Sequence, residues 1–209
     1  MGYAVVVIFD PEGILTDTSA CRFGAWKEMA REQGIAYDPV WDAQLQGLEE
    51  QAWLQSILSR GHRGYSAAER MALLTRMNDL YDDLLLQMGD SALRDGAEHM
   101  LRQLKKHGAS LGAVMTDGMP GRVLNKLPVR ECFQVISRRE DMASQLADVQ
   151  LRLRAAPADC LLITTSPASA KVARSLGMQA MLCGRGEENA VLLQQILAVL
   201  PDFEKPEST

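Results

Sequence analysis

Five short apolar runs, at residues 4–9, 111–115, 133–136, 160–163 and 180–183, narrow what this chain can become more than any other feature. They are rich in Val, Ile, Leu and Met and lack polar alternation, the pattern of strands covered on both faces. Stretches with helical periodicity, at 121–127, 142–153 and 168–176, separate the last four runs. Strand and helix in alternation build a parallel sheet, so the expected fold is a doubly wound α/β domain.

The first two runs are too far apart for a single crossover, and what lies between them is helical. Residues 20–33 carry Phe23, Trp26, Met29 and Ala30 on one face, 52–58 form a shorter apolar helix, and 67–88 a long one. Pro39, Gly47, Gly61 and Gly64 punctuate the segment. We read residues 16–92 as an inserted all-helical cap and residues 1–15 and 93–209 as the α/β core. Residues 97–107, through Met100, Leu101 and Leu104, return the chain to the sheet.

With 209 residues and 47% hydrophobic content, the chain can bury a core of this size, which excludes a disordered reading. Lys and Arg total 22 against 27 Asp and Glu, a formal net charge of −5, and no basic block stands ready to neutralise phosphates. Nucleic acid is not an expected partner. No positively charged leader precedes the first apolar run, and no stretch approaches the roughly 20 apolar residues that cross a bilayer. The expectation is a cytoplasmic protein without a membrane partner. Cys21, Cys132, Cys160 and Cys183 form no C-x-x-C pair, so they read as buried reduced thiols. His62, His99 and His107 are scattered in polar surroundings and receive no role.

Ligands of doubly wound folds sit beyond the carboxyl ends of the strands. There the first run continues as Asp10-Pro11-Glu12-Gly13-Ile14-Leu15-Thr16-Asp17-Thr18. Two carboxylates spaced i, i+2 can act as nucleophile and general acid/base, and on the residues alone a turn of solvated acids reads equally well.

This stretch resembles the signature of the haloacid dehalogenase (HAD) superfamily, D-x-D-G-[VI]-[LI]-x-D-[TS], and departs from it at one position. Arg22 to Lys27, Glu32 to Ile35, Gln46-Gly47 and Gly177-Met178 also fall where the β-phosphoglucomutase-like subfamily has its cap helix, substrate loop and last crossover. The resemblance implies an aspartate nucleophile, Mg²⁺ against the phosphate oxygens, and a Ser or Thr plus a Lys that hold them. Asp10 matches the nucleophile and is also a candidate Mg²⁺ ligand. Glu12 stands at the acid/base position and, through its backbone, at a metal position; its extra methylene displaces the carboxyl, and such displacement costs about a hundredfold in rate.

The other family parts are altered. Thr116 is the candidate phosphate-binding hydroxyl, although strict register puts Met115 there, and Asp117 brings a charge that repels a dianion. The region of the phosphate lysine reads Ser137 to Ser144, without lysine or proline; Arg138 or Arg139 is the only available cation, and a solvated helix start accounts for both. Where the family has Glu-Asp-Ser around Mg²⁺, this chain has Thr164-Thr165-Ser166. Mg²⁺ normally needs one or two carboxylates. In the cap, Glu49 and Glu50 stand where mutases carry bases, and Arg22 where they carry a histidine.

The expectation is therefore a HAD-like protein inactive or severely impaired in phosphoryl transfer, used for binding or regulation, with a small phosphorylated metabolite or a protein as partner and no required metal. The alternative is a Mg²⁺-dependent phosphatase or sugar-phosphate mutase-like hydrolase acting through Asp10, with Asp117 or Asp141 recruited for the metal. A third possibility is other chemistry at Asp10, such as metal-free cleavage of a carbon–halogen bond.

Overall fold

The structure, a computed structural model, describes residues 5–46, 48–115, 124 and 127–200. The chain divides into two compact units, residues 18–89 and the remainder.

In the larger unit, β1 (Val6–Phe9), β2 (Ser110–Val114), β3 (Val135–Ser137), β4 (Cys160–Thr164) and β5 (Gln179–Leu182) form one sheet in the order β3-β2-β1-β4-β5. Every pairing is parallel, and β1 lies in the middle with Phe9 level with Ala113 of β2 and Ile163 of β4. The side chains of β1 and β4 are buried throughout, as unalternated apolar runs require when helices cover both sheet faces.

The first four strands coincide with the expected runs to within two residues, and the fifth lies one residue earlier. β3 starts at Val135 rather than Phe133 because residues 128–132 form a 3₁₀ turn and the Phe133 N–H closes it on the Arg130 carbonyl (3.2 Å). Met142–Leu153 and Pro167–Ser175 are helices as expected, as is Ala97–Lys106. The helix Asn189–Val199 packs Leu192 and Ile196 inward and was not expected. In chain order, with the four helices of the smaller unit as α1–α4, these are α5 (Ala97–Lys106), α6 (Met142–Leu153), α7 (Pro167–Ser175) and α8 (Asn189–Val199). The expected helix at 121–127 lies, except for residues 124 and 127, outside the described residues.

The smaller unit is all helical: α1 (Ser19–Glu32), α2 (Pro39–Leu45), α3 (Glu50–Leu58) and α4 (Ala67–Met88). Trp26 of α1 and Trp53 of α3 stack with ring centroids 5.8 Å apart, and the Trp53 indole N–H donates to Tyr37 Oη (2.9 Å), whose hydroxyl donates to Asp42 (2.8 Å). A capping box between Ser66 and Glu69 starts α4. Its far end returns to the beginning of the unit, since Tyr81 Oη donates to Thr18 Oγ1 (2.8 Å) and Cys21 Sγ points its hydrogen at Met88 Sδ. No helix among the described residues is long and apolar enough to cross a membrane.

Candidate active site

Asp10 follows β1 directly, at the carboxyl end of the central strand. Its N–H continues the ladder to the Ile163 carbonyl (2.9 Å), which fixes the backbone, and the residue is only 4% exposed. The chain then turns back tightly around the Pro11 carbonyl, which accepts the N–H groups of Ile14 (3.1 Å), Leu15 (2.8 Å) and Thr16 (3.1 Å). Gly13 adopts φ +82°, and a Cβ there would lie 3.3 Å from both Arg185 Cγ and Thr165 Cγ2, so conformation and space both require glycine.

Thr164, the last residue of β4, is fully buried beside Asp10, and its hydroxyl donates to Asp10 Oδ2 (2.9 Å). Thr164 Oγ1 itself accepts the Ser166 N–H (3.0 Å), which leaves the hydroxyl proton for the carboxylate. Ser166 then caps α7 by accepting the Ser169 N–H (3.2 Å). Thr165 is half-buried and meets the turn at Gly13.

Glu12 lies in the turn with its side chain 13% exposed; Thr16 Oγ1 donates to Oε2 (3.3 Å) and the Arg185 guanidinium reaches Oε1 (3.4 Å). Arg94 donates to the Gly13 carbonyl and to the Glu187 carbonyl (3.1 Å), tying the turn to the loop after β5. Sequence reasoning missed both arginines. Arg185 had a usable signal, because it sits between two glycines just beyond the carboxyl end of a strand; Arg94 had none, since only the tertiary fold brings it to the turn.

Thr116 and Asp117 lie outside the described residues. The Met115 side chain is buried, and its peptide is held in both directions by the Gln145 amide of α6, which accepts the Met115 N–H and donates to the Met115 carbonyl (2.7 Å). Gln145 was another group the sequence did not announce. Arg139 pairs with Asp148 (3.1 Å), and Arg138 and Arg139 are both exposed. Asp141 caps α6, accepting from the Ser144 hydroxyl (2.6 Å) and N–H (2.9 Å), and these bonds hold its carboxyl below the usual range. In the helical unit, Arg22 donates to Gln46 (2.6 Å) and its guanidinium lies 5.2 Å from the Trp53 ring centroid.

The donors around Asp10 can be tested against a divalent cation. Among the described residues, no three His, Cys, Asp or Glu side chains gather into a ligand set. The group on Asp10 Oδ2 is a hydroxyl, and the second carboxyl of the turn faces a guanidinium. Of the one or two carboxylates such a cation takes, the described residues place Asp10 at the strand end, already bonded to a hydroxyl.

The chain is 31% identical over 189 residues to β-phosphoglucomutase of Bacillus subtilis (strain 168), an alignment that covers 87% of this chain and 84% of the relative. It belongs to the haloacid dehalogenase superfamily, among the β-phosphoglucomutase-like proteins. No family model matches the chain. Solved structures agree on the HAD fold. A β-phosphoglucomutase from Clostridium difficile superposes with TM-score 0.71 at 18% identity, over 93% of this chain and 99% of that one. CbbY from Rhodobacter sphaeroides, in complex with xylulose-1,5-bisphosphate, does so with TM-score 0.69 at 18% identity, over 90% and 91%.

Proposed function

We propose that this chain is a HAD-superfamily protein in which phosphoryl transfer is lost or severely impaired, and that it works by binding. The observation that carries the reading is the Thr164 hydroxyl on Asp10 Oδ2 (2.9 Å). A neutral donor stands on the carboxylate at a position where the family uses an acid. Phosphoryl transfer depends on stabilising charge over the transferring oxygens, and among the described residues no cluster of three acidic, histidine or cysteine side chains gathers to hold a metal for it. The binding partner in this reading is a small phosphorylated metabolite, the kind named for the relatives. The second reading, a phosphatase or mutase-like hydrolase acting through Asp10, draws support from the burial and placement of that carboxylate at the end of β1.

Hydrolysis of p-nitrophenyl phosphate with Mg²⁺ present separates the two. The expected rate is near background, unchanged in Asp10→Asn. Turnover of about one per second or faster, abolished by that substitution, would establish the hydrolase. Calorimetric titration with vanadate tests the ligand class: heat of binding that Asp10→Asn alters supports a phosphorylated metabolite, and silence points to a protein partner.

A further inference from the structure

We infer that the outer edge of β5 is a pairing surface for a second copy of this chain, and that Arg174 keeps it shut. This goes beyond the reading of Asp10 and does not depend on it.

β5 ends the sheet on one side: β4 pairs with it along one flank, and no described strand lies on the other. In a parallel pair the main-chain groups of alternate residues face the neighbouring strand. The Cys183 N–H, just past β5, donates to the Thr164 carbonyl of β4 (2.9 Å). Met181 and Gln179 share that direction, and Ala180 and Leu182 turn their N–H and C=O groups outward. Such a row invites another strand. The side chains favour it as well, because Gln179, Ala180, Met181 and Leu182 carry no charge and Leu182 is 50% exposed. β3, at the opposite edge, has only three residues and offers less.

One guanidinium stands in the way. Arg174, in the last turn of α7, reaches across the connection to β5, and its Nη2 donates to the Ala180 carbonyl (3.0 Å). The reach is set locally. The Gly177 N–H closes the helix on the Arg174 carbonyl (3.1 Å), and Gly177 turns the chain at φ +80°, so the strand returns beside the helix end. Pairing is thereby opposed twice. The arginine occupies an outward acceptor in the middle of a short strand, and two copies meeting edge to edge would bring two guanidiniums together, a repulsion that salt only screens. The occupant is a second copy because the edge suits itself. Apart from Arg174 it is uncharged, and β5 laid antiparallel against its own image sets outward N–H groups opposite outward carbonyls.

Sedimentation velocity over a wide range of protein concentration, joined to amide hydrogen exchange, tests this. In wild type the Ala180 and Leu182 amides should exchange fast at every concentration, and those of Met181 and Cys183 slowly. Arg174→Ala should self-associate about tenfold more tightly than wild type, and its Ala180 and Leu182 amides should become protected as concentration rises. Leu182→Lys puts a charge back on the edge and should return the Arg174→Ala protein to wild-type behaviour. Should Arg174→Ala fail to fold, Arg174→Met serves instead, since it keeps the aliphatic stem and removes the charge and the donor. A folded Arg174→Ala or Arg174→Met protein that sediments like wild type at every concentration overturns the inference. So does association that Leu182→Lys leaves in place or that protects no β5 amide, and so does protection of the Ala180 and Leu182 amides in wild type. Ester hydrolysis bears on none of these outcomes, so the functional reading stands or falls by its own assay.

Discussion

At the scale of single residues, one hydroxyl stands on the buried carboxylate of the site. A threonine at the end of β4 gives Asp10 a hydrogen bond and brings no charge of its own, whereas an acid at the same point would repel Asp10 until a cation arrived. The buried thiols show the same preference for neutral groups. Burial holds Cys160 and Cys183 up to about 11 from an ordinary 9, with Asp159 and Glu187 adding to the effect. The sign follows: a folded-state value above the unfolded one gives stability that is complete below pH 9 and is lost as pH rises toward 11. Urea midpoints should be level from pH 7 to 8.5 and fall by pH 10.5, and replacing both residues with alanine should flatten that fall. The free, buried state of all four cysteines was legible from their spacing. The Arg185–Glu12 pair was not, because nothing in a sequence of separated residues fixes which loop returns to which turn.

At the scale of elements, apolar runs carried most of the information, since a strand covered on both faces has no freedom to alternate. What escaped was decided by caps and packing. Pro39 reads as a breaker, yet it is the first residue of α2, where its missing N–H costs nothing and Asp38 accepts the Trp41 N–H (2.8 Å). The helix α8 is so apolar that it shows no clear stripe, and its inner face becomes visible only against its neighbours. Close packing of a strand against a helix makes a prediction here. Gly112 of β2 faces Val149 of α6 so closely that a Cβ would overlap Val149 Cγ1. Gly112→Ala should destabilise by about 1–3 kcal/mol, read as a shift in urea midpoint at constant slope. Val149→Ala should restore part of the loss when combined with it, and should be destabilising on its own.

At the scale of the whole molecule, the family fold is present, and substitution at the end of β4 can show whether the site's backbone is arranged to hold a metal. Thr164→Glu with Thr165→Asp adds two carboxylates beside Asp10. Without metal this protein should melt below wild type through like-charge repulsion, and Mg²⁺ should recover the loss. Equal Mg²⁺ responses in the two proteins would mean that these positions do not face Asp10 in a metal-binding arrangement.

The insertion also bears on how the chain finds its sheet. β1 must pair with β2 across residues 10–109, a closure whose entropy grows with the length of the intervening loop, by about 0.6 kcal/mol for each doubling. The helical unit brings its own ends together through Tyr81 with Thr18 and Cys21 with Met88. In the larger unit, the flanking segments lie side by side, Thr16 bridging Leu93 and the Arg94 N–H reaching the Leu15 carbonyl (2.8 Å). If the helices form first, β1 and β2 are no longer a hundred residues apart in any sense that matters to diffusion. A long-range pairing, ordinarily slow, becomes a local one, and the insert serves the folding of the domain it interrupts.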